Sequence, residues 1–250
     1  MLKRFLAYFA VNILGISAAF AGGYDVGERD WDFLFQKEPV AVEASTRYIN
    51  PQRKIRNVTN TNPFLPIPPT SASVNETAAF SIYRASLAVS LNEDIKCLGS
   101  YRQPWAGDAN YGSNWAGSFS AITQKFSSQD LGLTCSTSTQ LGKGKFIILA
   151  GISHQEIEYE LTRNSQFGLS RTLVSDDAIA WRVGAAFEIP EFALRASLVY
   201  NSQVDYDPTG IVSFANVPVA TPVFGAISLP QSVEFKFQSG DLRPLISSNF

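Results

Sequence analysis

Apolar and polar residues alternate by twos along much of this chain, which is the period of a strand. The clearest instance is AWRVGAAFEIPEFALRASLVY (180–200). Trp181, Val183, Ala185, Phe187 and Ile189 share one face, with Arg182 and Glu188 on the other. After Pro190-Glu191 the apolar face resumes with Phe192, Leu194, Ala196, Leu198 and Tyr200, and Arg195 lies opposite. The pattern predicts a β-hairpin with one apolar and one partly charged side. Pairing about Pro190-Glu191 sets Trp181 opposite Tyr200, Phe187 opposite Leu194 and Ile189 opposite Phe192. Pro190 itself suits a type I or II turn better than the primed turns of tight hairpins.

The same reading predicts ten strands, near 40–49, 80–91, 95–103, 129–138, 144–153, 156–162, 167–174, 178–189, 192–206 and 231–238. In RASLAVSL, Arg84 stands opposite Ala85 and Leu87, and in EIEYEL, Glu156 and Glu158 stand opposite Ile157 and Tyr159. Helical periodicity is nowhere convincing. The even-numbered strands end in tight turns, at 92–94, 140–144, 163–165 and 190–191. All three long connections, about 50–79, 104–128 and 207–230, leave odd-numbered strands. Short turns at one end and long loops at the other are the wiring of an up-and-down transmembrane β-barrel. The predicted fold class is therefore all-β, a transmembrane antiparallel barrel.

From Phe192 to Tyr200 the apolar face runs about 26 Å along the strand. That is near the height of a lipid-facing band edged by aromatic girdles. Arg84, Glu156, Glu158, Arg182, Glu188 and Arg195 are then expected to face the lumen. Alternation alone does not separate lipid from a protein core, so a secreted soluble β-sandwich stays open as an alternative.

The first residues, MLKRFLAYFAVNILGISAAFAGG, sharpen the location. Lys3 and Arg4 precede an apolar run, and Ala19-Phe20-Ala21 fits a small-x-small cleavage site. Residues 1–21 read as a cleaved signal peptide, the alternative being an N-terminal anchor. Its removal would take two positive charges from a chain whose formal net charge is −2, and no basic stripe suggests nucleic acid. Charged residues are few, 17%, and aromatic ones many, 12%, which suits a β-protein in apolar surroundings. In an oxidising compartment Cys97 and Cys135 are disulfide candidates, with two unpaired thiols as the alternative.

Little here points to catalysis. His154 is the sole histidine and no G-x-S-x-G elbow presents a nucleophile. Gly142-Lys143-Gly144 lacks phosphate-loop spacing and reads as a turn. Neither metal nor cofactor is expected, and the protein is read as a non-enzyme.

Five blocks carry a family resemblance: AVEASTRYINPQRKIRNV (41–58), CLGSYRQPWAGDANYG (97–112), GLTCSTSTQLGKGKFIILAG (132–151), WRVGAAFEIPEFALRASLVYNSQVDY (181–206) and LPQSVEFKFQSG (229–240). In this order they resemble the long-chain fatty acid and aromatic-hydrocarbon transporters of the outer membrane, the FadL-like family. The resemblance implies a 14-stranded barrel whose lumen is closed by an N-terminal hatch, and passive uptake of long-chain fatty acids or other hydrophobic compounds. It implies outer-membrane lipids and the barrel assembly machinery as partners, and the terminal Phe250 is of the kind that machinery prefers.

Mapped onto this chain, 22–38 is the hatch, 39–240 a partial barrel and 241–250 a divergent tail. About ten strands stand where the family has fourteen, so the chain is expected to be a C-terminally truncated copy. Trp31, Phe33 and Phe35 of the hatch alternate with Asp32 and Leu34 and are candidates to face a ligand, the alternative being an ordinary first strand or a loosely ordered terminus. Trp105, Tyr111, Trp115 and Phe119 are candidates for a capture groove, the alternative being that they pack their own loop. Gly99 is a candidate kink that opens the wall, the alternative being a plain small residue against the plug. A structural or surface-interaction barrel without transport activity is the alternative function.

Overall fold

The structure, a computed structural model, describes residues 31–58, 72–76, 78–214, 217–220, 227–229 and 231–239. The predicted signal peptide, the predicted hatch up to residue 30 and the predicted tail lie outside the described residues. The chain opens with a 3-10 turn, Trp31–Phe35. Strands follow as β1 (Val40–Ile49), β2 (Arg53–Ile55), β3 (Val74–Glu76), β4 (Phe80–Ser90), β5 (Ile95–Arg102), β6 (Ala106–Asn110), β7 (Thr123–Leu141) and β8 (Gly144–Ser165). Then come β9 (Gly168–Ile189), β10 (Leu194–Asn201), β11 (Val204–Tyr206), β12 (Thr209–Phe214), β13 (Val217–Ala220), β14 (Ile227–Leu229) and β15 (Ser232–Ser239). The main sheet runs β1-β4-β5-β7-β8-β9-β10-β15 and is antiparallel at every step. It is one sheet curled around a concave face, a half-barrel, rather than two sheets packed face to face.

Two pairs of predicted strands are single strands. β8 and β9 each have 22 residues, and their ladder is unbroken from Lys145↔Glu188 to Ser165↔Gly168. On β8, Phe146, Ile148, Ala150 and Ile152 point to the convex face, yet further along it is Ile157 on the concave face that is buried. The apolar side changes face without any turn, and that change imitates a strand break. The merger moves the 163–165 turn to the end that carries the long connections. Among the described residues the other end carries tight turns, at 91–94, 142–143 and 190–193.

The opening hairpin keeps its predicted faces but shifts register by two. Ile189 stands opposite Leu194, Phe187 opposite Ala196 and Val183 opposite Tyr200. Pro190–Phe192 forms a 3-10 turn and Ala193 closes it in the left-handed region at φ 47°. The fixed φ of proline favours that turn over a two-residue one, so the connection takes more residues. Trp181 and Tyr200 still meet diagonally, ring centres 5.3 Å apart.

The convex face carries an apolar band. Leu131 and Leu133, Ile148 and Ile152, Ile179, Trp181 and Val183, and Leu198 are all exposed across adjacent strands. Tyr83, Tyr101, Trp181 and Tyr200 lie toward the loop end of that face, with Phe146, Phe187 and Phe192 toward the turn end. Left in water, each large side chain of this band forfeits about 1.5–3 kcal/mol. A spanning strand needs roughly 9–11 residues, so β7, β8 and β9 project well past the band at the loop end.

Cys97 and Cys135 are directly opposite one another on β5 and β7 and form a disulfide. They share the parity of Leu131 and Leu133, so the bond sits on the convex face within the band.

Candidate functional site

The concave face carries the chemistry. At its centre the Trp31–Phe35 turn is seated against the wall: Trp31, Leu34 and Phe35 are buried among Ala88, Leu98, Ile147, Leu149, Ala186 and Val199. Three residues per turn bring Trp31 and Leu34 to the same side. The strand-like alternation read from the sequence, with Leu34 turned away from the aromatics, is therefore corrected. Phe33 is half-buried and packs against the same cluster.

Three basic side chains hold this plug. The Arg182 guanidinium lies over the Trp31 ring at 4.7 Å, and Arg195 lies over Phe35 at the same distance. Arg195 also donates to the Asp32 carboxylate at 2.9 Å. Lys96 donates through Nζ to the carbonyl oxygens of Gln36 at 2.5 Å and Glu38 at 2.9 Å, pinning the exit from the turn. A cation that is 4–8% exposed, as Arg182, Arg195 and Lys96 are, requires such partners.

Toward the loop end a buried polar layer lies above the plug. Arg102 pairs with Asp130, whose side chain is fully buried. Gln155 donates to Asp130 at 3.0 Å and accepts from the Tyr206 hydroxyl at 3.0 Å. Arg182 adds bonds to Thr134 and Ser153. Burial, with Asp130 and Asp176 nearby, pushes the Tyr206 phenol well above its ordinary pKa. Tyr206 arrives from an unexpected direction. The chain leaves β9 after Asn201↔Arg182, turns over the concave face as β11, and rejoins β9 at Thr209↔Ser175. Asp176 to Trp181 thus lie between two ladders, with Ser202 bridging to Trp181.

Two spaces flank the plug. One of about 30 Å³ lies between Arg102, Trp105, Gln155, Trp181 and Arg182. The other, about 560 Å³, opens at the turn end, where Leu34, Phe35 and Ile147 face Lys96, Lys145 and Glu188. The larger falls in the range of small-molecule sites, while the smaller has room for little more than water.

The residues singled out in the sequence fall in separate places. Arg84, Arg182, Glu188 and Arg195 are on the concave face, Arg84 in an ion pair with Glu43. Glu156 and Glu158 are not. They are exposed on the convex face of β8, beyond the band, in line with Ile148 and Ile152. The apolar side of IEYEL faces inward there because the outer side has already left the band.

Trp31 and Phe35 are buried against the wall rather than presented to an open lumen. Trp115 is buried in its own loop, stacked on Tyr111 at 5.0 Å and donating to the Ala121 carbonyl at 2.8 Å. Trp105 lines the small cleft and Phe119 is half-buried, so these four aromatics do not converge on one groove. Gly99 marks no kink, since β5 pairs without a break on both sides of it. His154 bonds Asp177 at 3.0 Å on the exposed surface.

The Arg102–Asp130–Gln155–Tyr206 layer and the Lys96 clamp were not foreseen. Strand parity puts Lys96, Arg102 and Asp130 on the face shared by Leu98 and Thr134, and it was the available signal.

No protein-family profile matches the sequence, and no curated protein matches it. Among solved structures, the crystal structure of a Pseudomonas aeruginosa FadL homologue is similar, with a TM-score of 0.51 at 14% identity. The match covers 70% of this chain and 45% of that one, so the chain spans less than half the length of its structural neighbour. At that identity the likeness is one of fold: a curled, all-β sheet of the FadL barrel type.

Proposed function

We propose that this chain is an outer-membrane protein for passive uptake of hydrophobic compounds, long-chain fatty acids among them. The observation that carries the reading is the aromatic plug clamped to a concave wall whose other side is an apolar band. The band suits the hydrocarbon of a bilayer, and the loop-end extensions of β7, β8 and β9 suit water beyond it. Release of the plug would exchange its polar contacts, to Arg182, Arg195 and Lys96, for water or a ligand headgroup, and the buried faces of Trp31, Leu34 and Phe35 for a ligand's apolar chain. Movement down a gradient then needs no nucleotide and no cofactor, in line with a non-enzymatic role.

One observation favours a second reading, a structural or surface barrel without transport. Among the described residues the Arg102–Asp130–Gln155–Tyr206 layer lies across the concave side above the plug, and the cleft beside it holds about 30 Å³. Uptake of a fluorescent long-chain fatty acid by cells lacking their own transporter separates the two. Saturable uptake that depends on this chain is expected. Outer-membrane chain of normal abundance with no uptake favours the structural reading, and chain recovered without detergent removes both.

A further inference from the structure

The larger space, at the turn end, lies between the plug and the middle of the wall. It sits against β5, β7, β8 and β9, each of which has a strand on both sides. Its volume, about 560 Å³, is that of a small-molecule site. Leu34, Phe35 and Ile147 give it an apolar wall.

Two charged side chains stand together on its floor. Glu188 on β9 is directly opposite Lys145 on β8, and both are on the concave face. Glu188 is only 8% exposed, yet among the described residues no hydrogen bond or ion pair reaches its carboxylate. None reaches the Lys145 ammonium either. The neighbouring cations are engaged elsewhere. Arg195, the other cross-strand neighbour of Glu188, is turned to Asp32 and Phe35 in the plug. Lys96 donates to the carbonyl oxygens of Gln36 and Glu38. A carboxylate taken this far out of water needs donors, and the pocket it lines is where they can enter.

The charge around the space selects the ligand. Lys37, Lys96 and Lys145 line it against Glu93, Asp94 and Glu188, so the signs balance. A carboxylate head would satisfy Lys145 but meet Glu188 with like charge. An amine head would satisfy Glu188 and leave Lys145 alone. A head with an ammonium and an anionic group side by side answers both, since a cross-strand pair holds its Cβ atoms about 5 Å apart.

We propose that the turn-end pocket binds a zwitterionic amphiphile, its ammonium at Glu188, its anionic group at Lys145 and its apolar body against Leu34, Phe35 and Ile147. This goes beyond the transport reading and does not depend on it, because plug and wall bound the space in either function.

Calorimetry on the full chain in a nonionic detergent at neutral pH tests it. Three probes share one chain length: 2-aminooctanoate, octanoate and octylammonium. Glycine supplies the head without the chain. 2-Aminooctanoate is expected to bind roughly tenfold or more tightly than either singly charged probe, and glycine not detectably. Glu188→Gln should weaken 2-aminooctanoate and octylammonium by about tenfold and spare octanoate. Lys145→Gln should weaken 2-aminooctanoate and octanoate and spare octylammonium. Hydrogen exchange at 31–35 checks that the plug stays seated in each variant, and the ranking on the unaltered chain decides where a variant unfolds.

Octanoate binding as tightly as 2-aminooctanoate overturns the proposal in favour of an anion site, and octylammonium doing so overturns it in favour of a cation site. Equal losses for all three probes in Glu188→Gln overturn the placing of the ammonium. No heat from any probe overturns the proposal and leaves the pocket to water. None of these results bears on the uptake assay, so the two readings fail separately.

Discussion

Arg195 on β10 and Asp32 in the plug, 163 residues apart in sequence, form an ion pair at 2.9 Å while the same guanidinium covers the Phe35 ring. The Asp32 side chain is half exposed, so water screens the pair and its share is small. The cation–π contact is better shielded and adds about 0.5–2 kcal/mol. Arg195→Ala should therefore raise the population of plug-released molecules by roughly 2–30-fold. Hydrogen exchange at 31–35 reads this directly. Arg195→Lys, which keeps the charge without the planar fork, should fall between the two. Unchanged exchange in R195A would show that Arg195 is no latch.

Tyr206 gives the pH prediction. Its phenol is held neutral by burial and by Asp130 and Asp176, so its folded pKa lies above that of an unfolded tyrosine, about 10. At alkaline pH the unfolded chain loses this proton before the folded one does. The stability that Tyr206 adds is thus fully present below about pH 10 and is lost as pH rises through the folded pKa. In detergent, Tyr206→Phe should lower stability by about 1 kcal/mol at neutral pH, because it leaves Gln155 short of a donor. The same variant should show a shallower loss between neutral pH and pH 11. Parallel pH curves for the two proteins would contradict the assignment.

The long period-two runs made the strands and the concave face legible, because Arg84, Arg182 and Arg195 sit in phase with their neighbours. Two physical effects hid the rest. Where the apolar band of the convex face ends, β8 exchanges its apolar side, between Ile152 and Ile157, and local patterning reads that as a boundary. A period of two sets Leu34 opposite the aromatics, whereas the 3-10 turn at Trp31–Phe35 has three residues and brings Leu34 to the side of Trp31. Asp130 and Tyr206 meet through Gln155 only because β11 folds over the sheet. No local pattern encodes that meeting.

The Cys97–Cys135 bond makes a prediction that depends on its face. It closes a separation of 38 residues, and on the loop-entropy model it stabilises by about 4 kcal/mol. The variant with both cysteines changed to serine should unfold at correspondingly lower denaturant. Because the bond lies on the convex apolar band, a water-soluble reductant should reach it slowly in membranes and rapidly after unfolding in urea. Alkylation after a timed reductant pulse measures both rates. Equal rates would place the bond in water and count against the band as a lipid surface.

Gly117 lies under the Trp115 ring so closely that a Cβ there would run into the indole. The ring is also anchored by Tyr111 and by the Ala121 carbonyl, and Trp115 is 6% exposed. Gly117→Ala should then expel the indole or shift its turn, at a cost of roughly 1–3 kcal/mol for an overpacked site. Trp115→Ala alone should cost about 3–5 kcal/mol through the cavity it leaves. The two effects share one contact, so they should not add: in the Trp115→Ala background, Gly117→Ala has nothing left to strike. Limited proteolysis of the 111–122 loop, with denaturant midpoints for the four proteins of the cycle, measures this coupling. Additive losses would mean that the glycine is needed for its backbone and not for the room it gives Trp115.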